Sequence, residues 1–318
     1  MTKKDVKFNY QKFLKLSKSL KEKYKEEGYI LFNSLIPLSK IDKILKELVF
    51  FKEANKLYYS QSEHNWRRIK GDLDKNSLLE CSFENFTDLP WGIRLSKAGR
   101  DILQSSEIRN ALRKISDFQE FCMWQNMFFD KSTGTIDHID TWYLDTNPMG
   151  YLFGAWVALE DIDGKGGVFH VYPKSHLSSN KEWINTSHDE FINWSKEEIM
   201  NYERKCLYLK KGDVLIWHPS LIHGSSLQKD MGFSRKSLTA HYHPIDLLRS
   251  KGGAKIIEKK EYKIKLLKQK KQMRSFGYPI NARASKREIL KFASIGITKY
   301  ILGGILNKPK NLMNRKNY

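Results

Sequence analysis

Between residues 120 and 244 the chain is cut into short segments rich in aromatic and β-branched residues: "CMWQNMFF", "IDTWYL", "YLFGAWVAL", "GVFHVYP", "CLYL", "DVLIWHP" and "SRKSLTAHYHP". Turns of Asp, Gly, Lys and Pro separate them. Short strands at this spacing predict an all-β sandwich or barrel. The part before them reads differently. Residues 7–27 have the apolar spacing of a basic amphipathic helix, and "GYILFNSLI" (28–36) predicts a strand ended by Pro37. In "KIDKILKELVFF" the residues Ile41, Ile44, Leu45 and Leu48 recur at helical spacing, with Ser39 as the expected N-cap. "KAGRDILQSSEIRNALRKIS" is a further helix, whereas residues 52–95 follow no clear period.

A chain of 318 residues with 40% hydrophobic and 13% aromatic residues can build a sizeable core. Cys81, Cys122 and Cys206 are widely spaced and suggest no disulfide framework, which points to a reducing cytoplasm. Neither a secretory signal nor an apolar run of membrane-spanning length is evident.

The net charge of +20 is confined to the two ends. Residues 1–25 hold nine Lys against two acids, a net +7, and residues 247–318 hold twenty Lys or Arg against three acids, a net +17. The middle is left at −4. The expected organisation is a basic N-terminal helix (1–25), a central domain (26–246) and a basic, helical extension (247–318). No nucleic-acid-binding motif accompanies the charge. The extension either packs on the β-rich body with its lysines solvated or touches an anionic membrane surface.

Within the β-rich part, "TGTIDHIDTWYLD" holds His138 and Asp140. Side chains at i and i+2 of a strand share a face, so both can reach one ion while Ile139 turns away. "KKGDVLIWHPSLIHGSS" (210–226) offers His218 and His223. Two imidazoles and one carboxylate form the facial set of non-haem Fe(II) sites, and the absence of Cys ligands argues against structural zinc. An isolated His-x-Asp is common by chance. His218 directly continues an apolar strand and reads as a core or loop histidine. His170, His176, His241 and His243 read as structural or pocket-lining, and "EDIDG" (160–164) as a solvated turn too short for a Ca²⁺ loop.

The order of these blocks resembles the phytanoyl-CoA dioxygenase family of Fe(II)/2-oxoglutarate oxygenases over residues 26–246. "EEGYILFNSLIPLSKIDKILKEL" is similar to its opening strand and helix, and "HID" to its His-x-Asp. "WVALEDIDGKGGVFHVYPKSH" resembles the stretch that ends in P-G-S-H, and "GDVLIWHPSLIHGSS" the distal-histidine block. The resemblance implies a double-stranded β-helix (jelly-roll) core, mainly β with flanking helices. It implies His138, Asp140 and His223 as iron ligands. Arg235, twelve residues after His223, is implied as the partner of the distal carboxylate of 2-oxoglutarate. Trp156 and Ser225 fall where the family has further cosubstrate contacts.

Two departures are visible: Ile139 replaces a residue that is often polar, and Lys174 replaces the Gly of P-G-S-H. The implied reaction consumes O₂ and 2-oxoglutarate, releases succinate and CO₂, and hydroxylates a small-molecule or lipid- or sugar-linked metabolite. In halogenases resembling this family the carboxylate gives way to a small residue, so Asp140 favours oxygen insertion. The competing reading is a catalytically silent jelly roll whose basic ends bind membrane or nucleic acid. Trp66, Arg67 and Arg68 are candidates for an anionic substrate group.

Overall fold

The computed structural model describes residues 19–53, 57–60, 67–70, 73–88, 94–229, 232–250 and 259–276. Helix α1 (19–27) leads into strand β1 (Tyr29–Phe32) and helix α2 (Leu38–Glu53). A hairpin of β2 (Leu57–Ser60) and β3 (Arg67–Lys70) follows, then β4 (Phe83–Glu84) and helices α3 (Arg94–Leu103) and α4 (Ser106–Ile115). The long strand β5 (Phe121–Phe129) precedes a one-turn helix α5 (Asp140–Tyr143) and strands β6 (Asp145–Asn147), β7 (Phe153–Ala158) and β8 (Phe169–Val171). Helix α6 (His188–Glu198) separates these from β9 (Lys205–Leu207), β10 (Val214–Trp217), β11 (His223–Ser225), β12 (Ser237–Pro244) and β13 (Leu248–Ser250). Helix α7 (Lys259–Phe276) comes last.

Six strands form an antiparallel sheet in the order β1-β10-β7-β12-β5-β4, and three form another in the order β11-β8-β9. The period-2 alternation of the central strands decides what each face covers. Ala155, Val157, Val214, Ile216, Leu238 and Ala240 point to one side, where Ile41 of α2, Ile102 of α3 and Leu112 of α4 pack on them. Trp156, Ala158, Leu215 and Trp217 point to the other side and meet Phe169, Val171 and Leu207 of the smaller sheet. The result is a two-sheet jelly roll with helices on its outer face, the expected architecture. A third cluster joins Ile139 and Ile222 to Tyr172, Trp183, Phe191 and Trp194, and fixes α6 beside the strand ends.

Several local expectations change. Strand β1 stops at Phe32, because Ser34 adopts a φ of 49° and turns the chain before Pro37. Helix α2 starts at Leu38, and the Ile41 N–H donates to the Pro37 carbonyl. Pro37 therefore holds the cap position and Ser39 lies inside the first turn; a proline with fixed φ and no N–H suits a helix start. The unpatterned stretch after residue 52 contains the β2–β3 hairpin and β4. Arg67 and Arg68 fall on β3, whereas Trp66 and residues 1–18 and 277–318 lie outside the described residues.

Lys174, which stands where the resembled stretch has glycine, adopts a φ of 69°. A side chain in that region costs about 1–2 kcal/mol, less the extra freedom glycine has when unfolded. Lys174→Gly should therefore raise the stability by roughly 1 kcal/mol. A denaturant midpoint that stays level or falls would contradict this.

Past residue 246, β13 pairs with β6, and α7 docks beside them. The Tyr262 hydroxyl donates to the Asn147 carbonyl and accepts from the Leu248 N–H, at 2.8 and 3.1 Å. Gln269 accepts from the Arg249 N–H and donates to the Leu247 carbonyl, at 2.7 and 2.9 Å. Asp145, at the start of β6, is 1% exposed and accepts from the N–H groups of Thr146 and Gly150. Burial pushes its pKa up to about 6 against the opposing pull of those bonds. A raised carboxyl pKa means that the folded state holds the proton more tightly. The stability it contributes is therefore complete below about pH 4 and is lost as pH rises through about 6. Asp145→Asn should remove that fall. The check is the difference in thermal midpoint between wild type and variant, followed from pH 4 to 7; parallel curves would refute it.

Candidate metal centre

The expected strand through His138 and Asp140 is a single bridge. His138 and His223 exchange both backbone hydrogen bonds, each 3.0 Å, and the chain then turns into α5 at Asp140. Ile139 anchors this turn in the apolar cluster beneath it. The Thr141 N–H donates to the Pro219 carbonyl, which ties the turn to the loop between β10 and β11. His138 and Asp140 still converge, because Ile139 between them keeps an extended backbone and the helix starts only at Asp140.

Asp140 Oδ1 lies 3.7 Å from His138 Nε2 and 3.8 Å from His223 Nε2. The three donor atoms lie within 4.8 Å of one another. A first-row ion about 2.0–2.2 Å from each donor would draw these atoms closer together than they stand here, within reach of small side-chain adjustments. Both imidazoles are set for this. His138 Nδ1 bonds the Ile136 carbonyl at 2.7 Å and His223 Nδ1 bonds the Leu221 carbonyl at 2.9 Å. A carbonyl accepts only, so each Nδ1 carries the hydrogen, and in the neutral ring each Nε2 is then the atom that offers a lone pair to an ion. Burial lowers the pKa of His223 to about 4, which holds it neutral. Burial also opposes the charge on Asp140, but His241, His223 and His138 hold its carboxyl well below the usual range. His218 is elsewhere: its ring packs on Tyr24 and His176, and its Nδ1 accepts from the Ser220 N–H.

Arg235 precedes β12 and is 2% exposed. Its guanidinium stands over the rings of Trp156 at 5.6 Å and Phe129 at 5.8 Å. Its Nε and Nη1 have no hydrogen-bond partner among the described residues. Burial pushes its pKa down only to about 10, so it stays charged. A desolvated cation without an acid is costly, and the ring faces offset only part of that cost. The arrangement suits an anion brought in from outside. Trp156 is thus placed beneath Arg235. The Ser225 hydroxyl accepts from the Thr135 N–H at 3.0 Å, joining β11 to the segment that carries His138.

Sequence reasoning missed the surroundings of the donors. His170 Nδ1 accepts from Arg204 Nη2, so its Nε2–H donates to Asp137 Oδ1 at 2.5 Å, and the Tyr172 hydroxyl donates to Asp137 Oδ2 at 2.9 Å. Asp137 is therefore held rigidly one residue before His138. A Cβ on Gly224 would come 2.3 Å from Asp137 Oδ1, which explains a glycine beside His223. Trp217 and His241 both approach Asp140 Oδ2.

The family model described as Phytanoyl-CoA dioxygenase (PhyH) matches residues 24–232. The peroxisomal phytanoyl-CoA dioxygenase of Homo sapiens is 34% identical over 113 residues, which cover 34% of this chain and 33% of that protein. The match thus spans about a third of the length of that curated relative. Phytanoyl-CoA dioxygenase domain-containing protein 1 homolog of Caenorhabditis elegans is 21% identical over 54% of this chain and 69% of its own length. Among solved structures, the epimerase SnoN in complex with Fe3+, alpha ketoglutarate and nogalamycin RO superposes with a TM-score of 0.54 at 15% identity, covering 76% of this chain and 87% of SnoN. EctD from S. alaskensis, with 2-oxoglutarate and 5-hydroxyectoine, has a TM-score of 0.52 at 14% identity, covering 76% of this chain and 81% of EctD. These two likenesses concern the fold, and the jelly roll described above is shared with them. With the family match covering more than half of its length, the chain belongs to the phytanoyl-CoA dioxygenase family.

Proposed function

We propose that this protein is an Fe(II)- and 2-oxoglutarate-dependent dioxygenase that hydroxylates a small molecule or a lipid- or sugar-linked metabolite, with release of succinate and CO₂. The observation that carries the reading is the pairing of a buried two-imidazole, one-carboxylate donor set with a buried guanidinium that has no acid partner among the described residues. The donor chemistry fits iron: imidazole and carboxylate without thiolate, leaving positions for other ligands. His138, Asp140 and His223 would hold the ion, and Arg235 the distal carboxylate of 2-oxoglutarate. When bound, iron supplies the O₂ chemistry that couples decarboxylation of the cosubstrate to oxidation of a C–H bond.

The chain's own residues do the rest. The Ile136 and Leu221 carbonyls fix the two imidazole tautomers. Trp156 and Phe129 stand against the guanidinium, which is shielded from water, where its bond to a carboxylate is strongest. The molecules named with SnoN and EctD, nogalamycin RO and 5-hydroxyectoine, support a small-molecule substrate. Anaerobic addition of Fe(II) and 2-oxoglutarate should produce a weak visible charge-transfer band. Absence of that band in the wild type, with no iron bound, would favour the silent jelly roll instead. A substrate screen that reads succinate production then identifies the oxidised molecule.

We also propose that the 247–318 extension touches anionic membrane surfaces. Helix α7 docks through Tyr262 and Gln269, which leaves Ile264 and Leu267 46% and 62% exposed between the exposed Lys263, Lys265 and Lys268. Aliphatic side chains flanked by lysines suit a surface-lying helix. No helix among the described residues is long and apolar enough to cross a membrane. The full chain should sediment with phosphatidylserine-containing vesicles and less so as salt rises. The double substitution Ile264→Asp, Leu267→Asp should abolish this, and equal sedimentation would refute the role of α7.

A further inference from the structure

Strands β10, β7 and β12 lie side by side, and their register aligns Trp217, Gly154 and His241 in one row. Gly154 leaves the middle of that row empty of side chain. A Cβ there would come 2.1 Å from Trp217 Cε2, so the indole lies across the glycine backbone. From that position the Trp217 Nε1–H donates to Asp140 Oδ2 at 2.8 Å. His241 Nε2 stands 3.3 Å from the same oxygen. His241 is 4% exposed, and neither of its ring nitrogens is aligned in a hydrogen bond among the described residues. Asp140 Oδ1, in contrast, faces His138 and His223.

The two oxygens of Asp140 thus have separate partners. A carboxylate free to turn can grip a metal with one oxygen or both. Gripping with both would fill a position that an exogenous ligand needs. Turning Asp140 to do so would strip the buried indole N–H of its acceptor and leave a buried donor unsatisfied, which opposes the turn. We propose that Trp217, with His241 beside it, is a positioning residue that confines Asp140 to one-oxygen ligation and so keeps a metal position open. The proposal rests on the metal reading given above. It concerns residues that carry no donor atom to the ion and that read, in the sequence, as core strand and pocket wall.

Cobalt(II) is a suitable probe, because the intensity of its visible bands reports coordination number and needs no turnover. Trp217→Phe keeps an aromatic ring in the row and removes the N–H together with part of the indole's bulk, so the spectrum and not the affinity alone decides the reading. It should weaken cobalt(II) binding by about 10–100-fold, the usual cost of losing an outer-shell partner. It should also change the visible spectrum of the bound ion, because the freed carboxylate changes its grip. A merely structural role lowers affinity but leaves the bound spectrum as in wild type, and that outcome overturns the proposal, as does an unchanged affinity. The thermal midpoint of the metal-free variant reports whether it folds. Should it not fold, His241→Asn loosens the carboxylate from the other side and is read in the same two ways. A wild-type protein that binds no cobalt(II) would instead sink the metal reading itself.

Discussion

Arg235→Met should abolish measurable 2-oxoglutarate binding while leaving the metal site and the fold in place. The guanidinium is buried, and its Nε and Nη1 have no hydrogen-bond partner among the described residues. Truncating one member of a buried charge pair costs about 2–5 kcal/mol, much of it because the other charge is then stranded. At the tenfold per 1.4 kcal/mol of binding equilibria, this is a loss of roughly 30-fold to several thousand-fold. The same substitution has a second signature. Without cosubstrate, Arg235 is a desolvated cation with no acid beside it among the described residues, so methionine should keep or raise the thermal midpoint of the empty protein. Methionine also fills the space between Trp156 and Phe129. Arg235→Lys keeps the charge but loses the planar fork, and should fall between the two. Calorimetric titration of 2-oxoglutarate into metal-loaded, oxygen-free protein makes the measurement. Unchanged affinity in Arg235→Met would remove this residue from cosubstrate binding, and a collapse of the midpoint would mean that the arginine serves the fold.

Asp140→Ala should be more damaging still, and at two levels. It removes the only carboxylate of the donor set, so metal affinity should fall by more than the roughly 100-fold that marks the upper range for outer-shell losses. It also leaves the Trp217 N–H, at 2.8 Å from Asp140 Oδ2, without its acceptor in a buried place. That should cost about 1–3 kcal/mol of stability even in metal-free protein. Asp140→Asn separates the two effects. Its side-chain oxygen can still accept from Trp217, so stability should largely return while metal binding stays weak. Metal content after dialysis and metal-free melting curves test both statements. An Asp140→Ala protein that retains metal at the wild-type level would exclude this carboxylate as a ligand.

Much of the fold was legible because it rests on local pattern. The alternation of Ala155, Trp156, Val157 and Ala158, or of Val214, Leu215, Ile216 and Trp217, assigns one residue set to the helices and the other to the space between the sheets. His138, Asp140 and His223 were legible as residue types at motif spacing, and the structure brings them together. What stayed hidden depends on register between strands distant in sequence. Nothing near Trp217 shows that it lies across Gly154 and reaches a carboxylate 77 residues earlier. His241 read as a wall because its neighbour in space, Asp140, lies on the far side of the chain's order. Asp137 gave no signal at all, since its partners His170, Tyr172 and Arg204 converge from separate elements. At the other extreme, the cap of α2 was misplaced by two residues, from Ser39 to Pro37, because a proline that accepts through its carbonyl leaves no side-chain signature.

The glycine between the indole and the imidazole imposes an exchange rule on variants of this protein. Positions 154 and 217 share one volume: the indole at 217 fills what the missing side chain at 154 vacates. Enlarging one demands shrinking the other, so the two positions can be redesigned only as a pair. A side chain at 154 alone displaces the indole from its place beside Asp140, while trading bulk across the two strands samples different ring positions above that carboxylate.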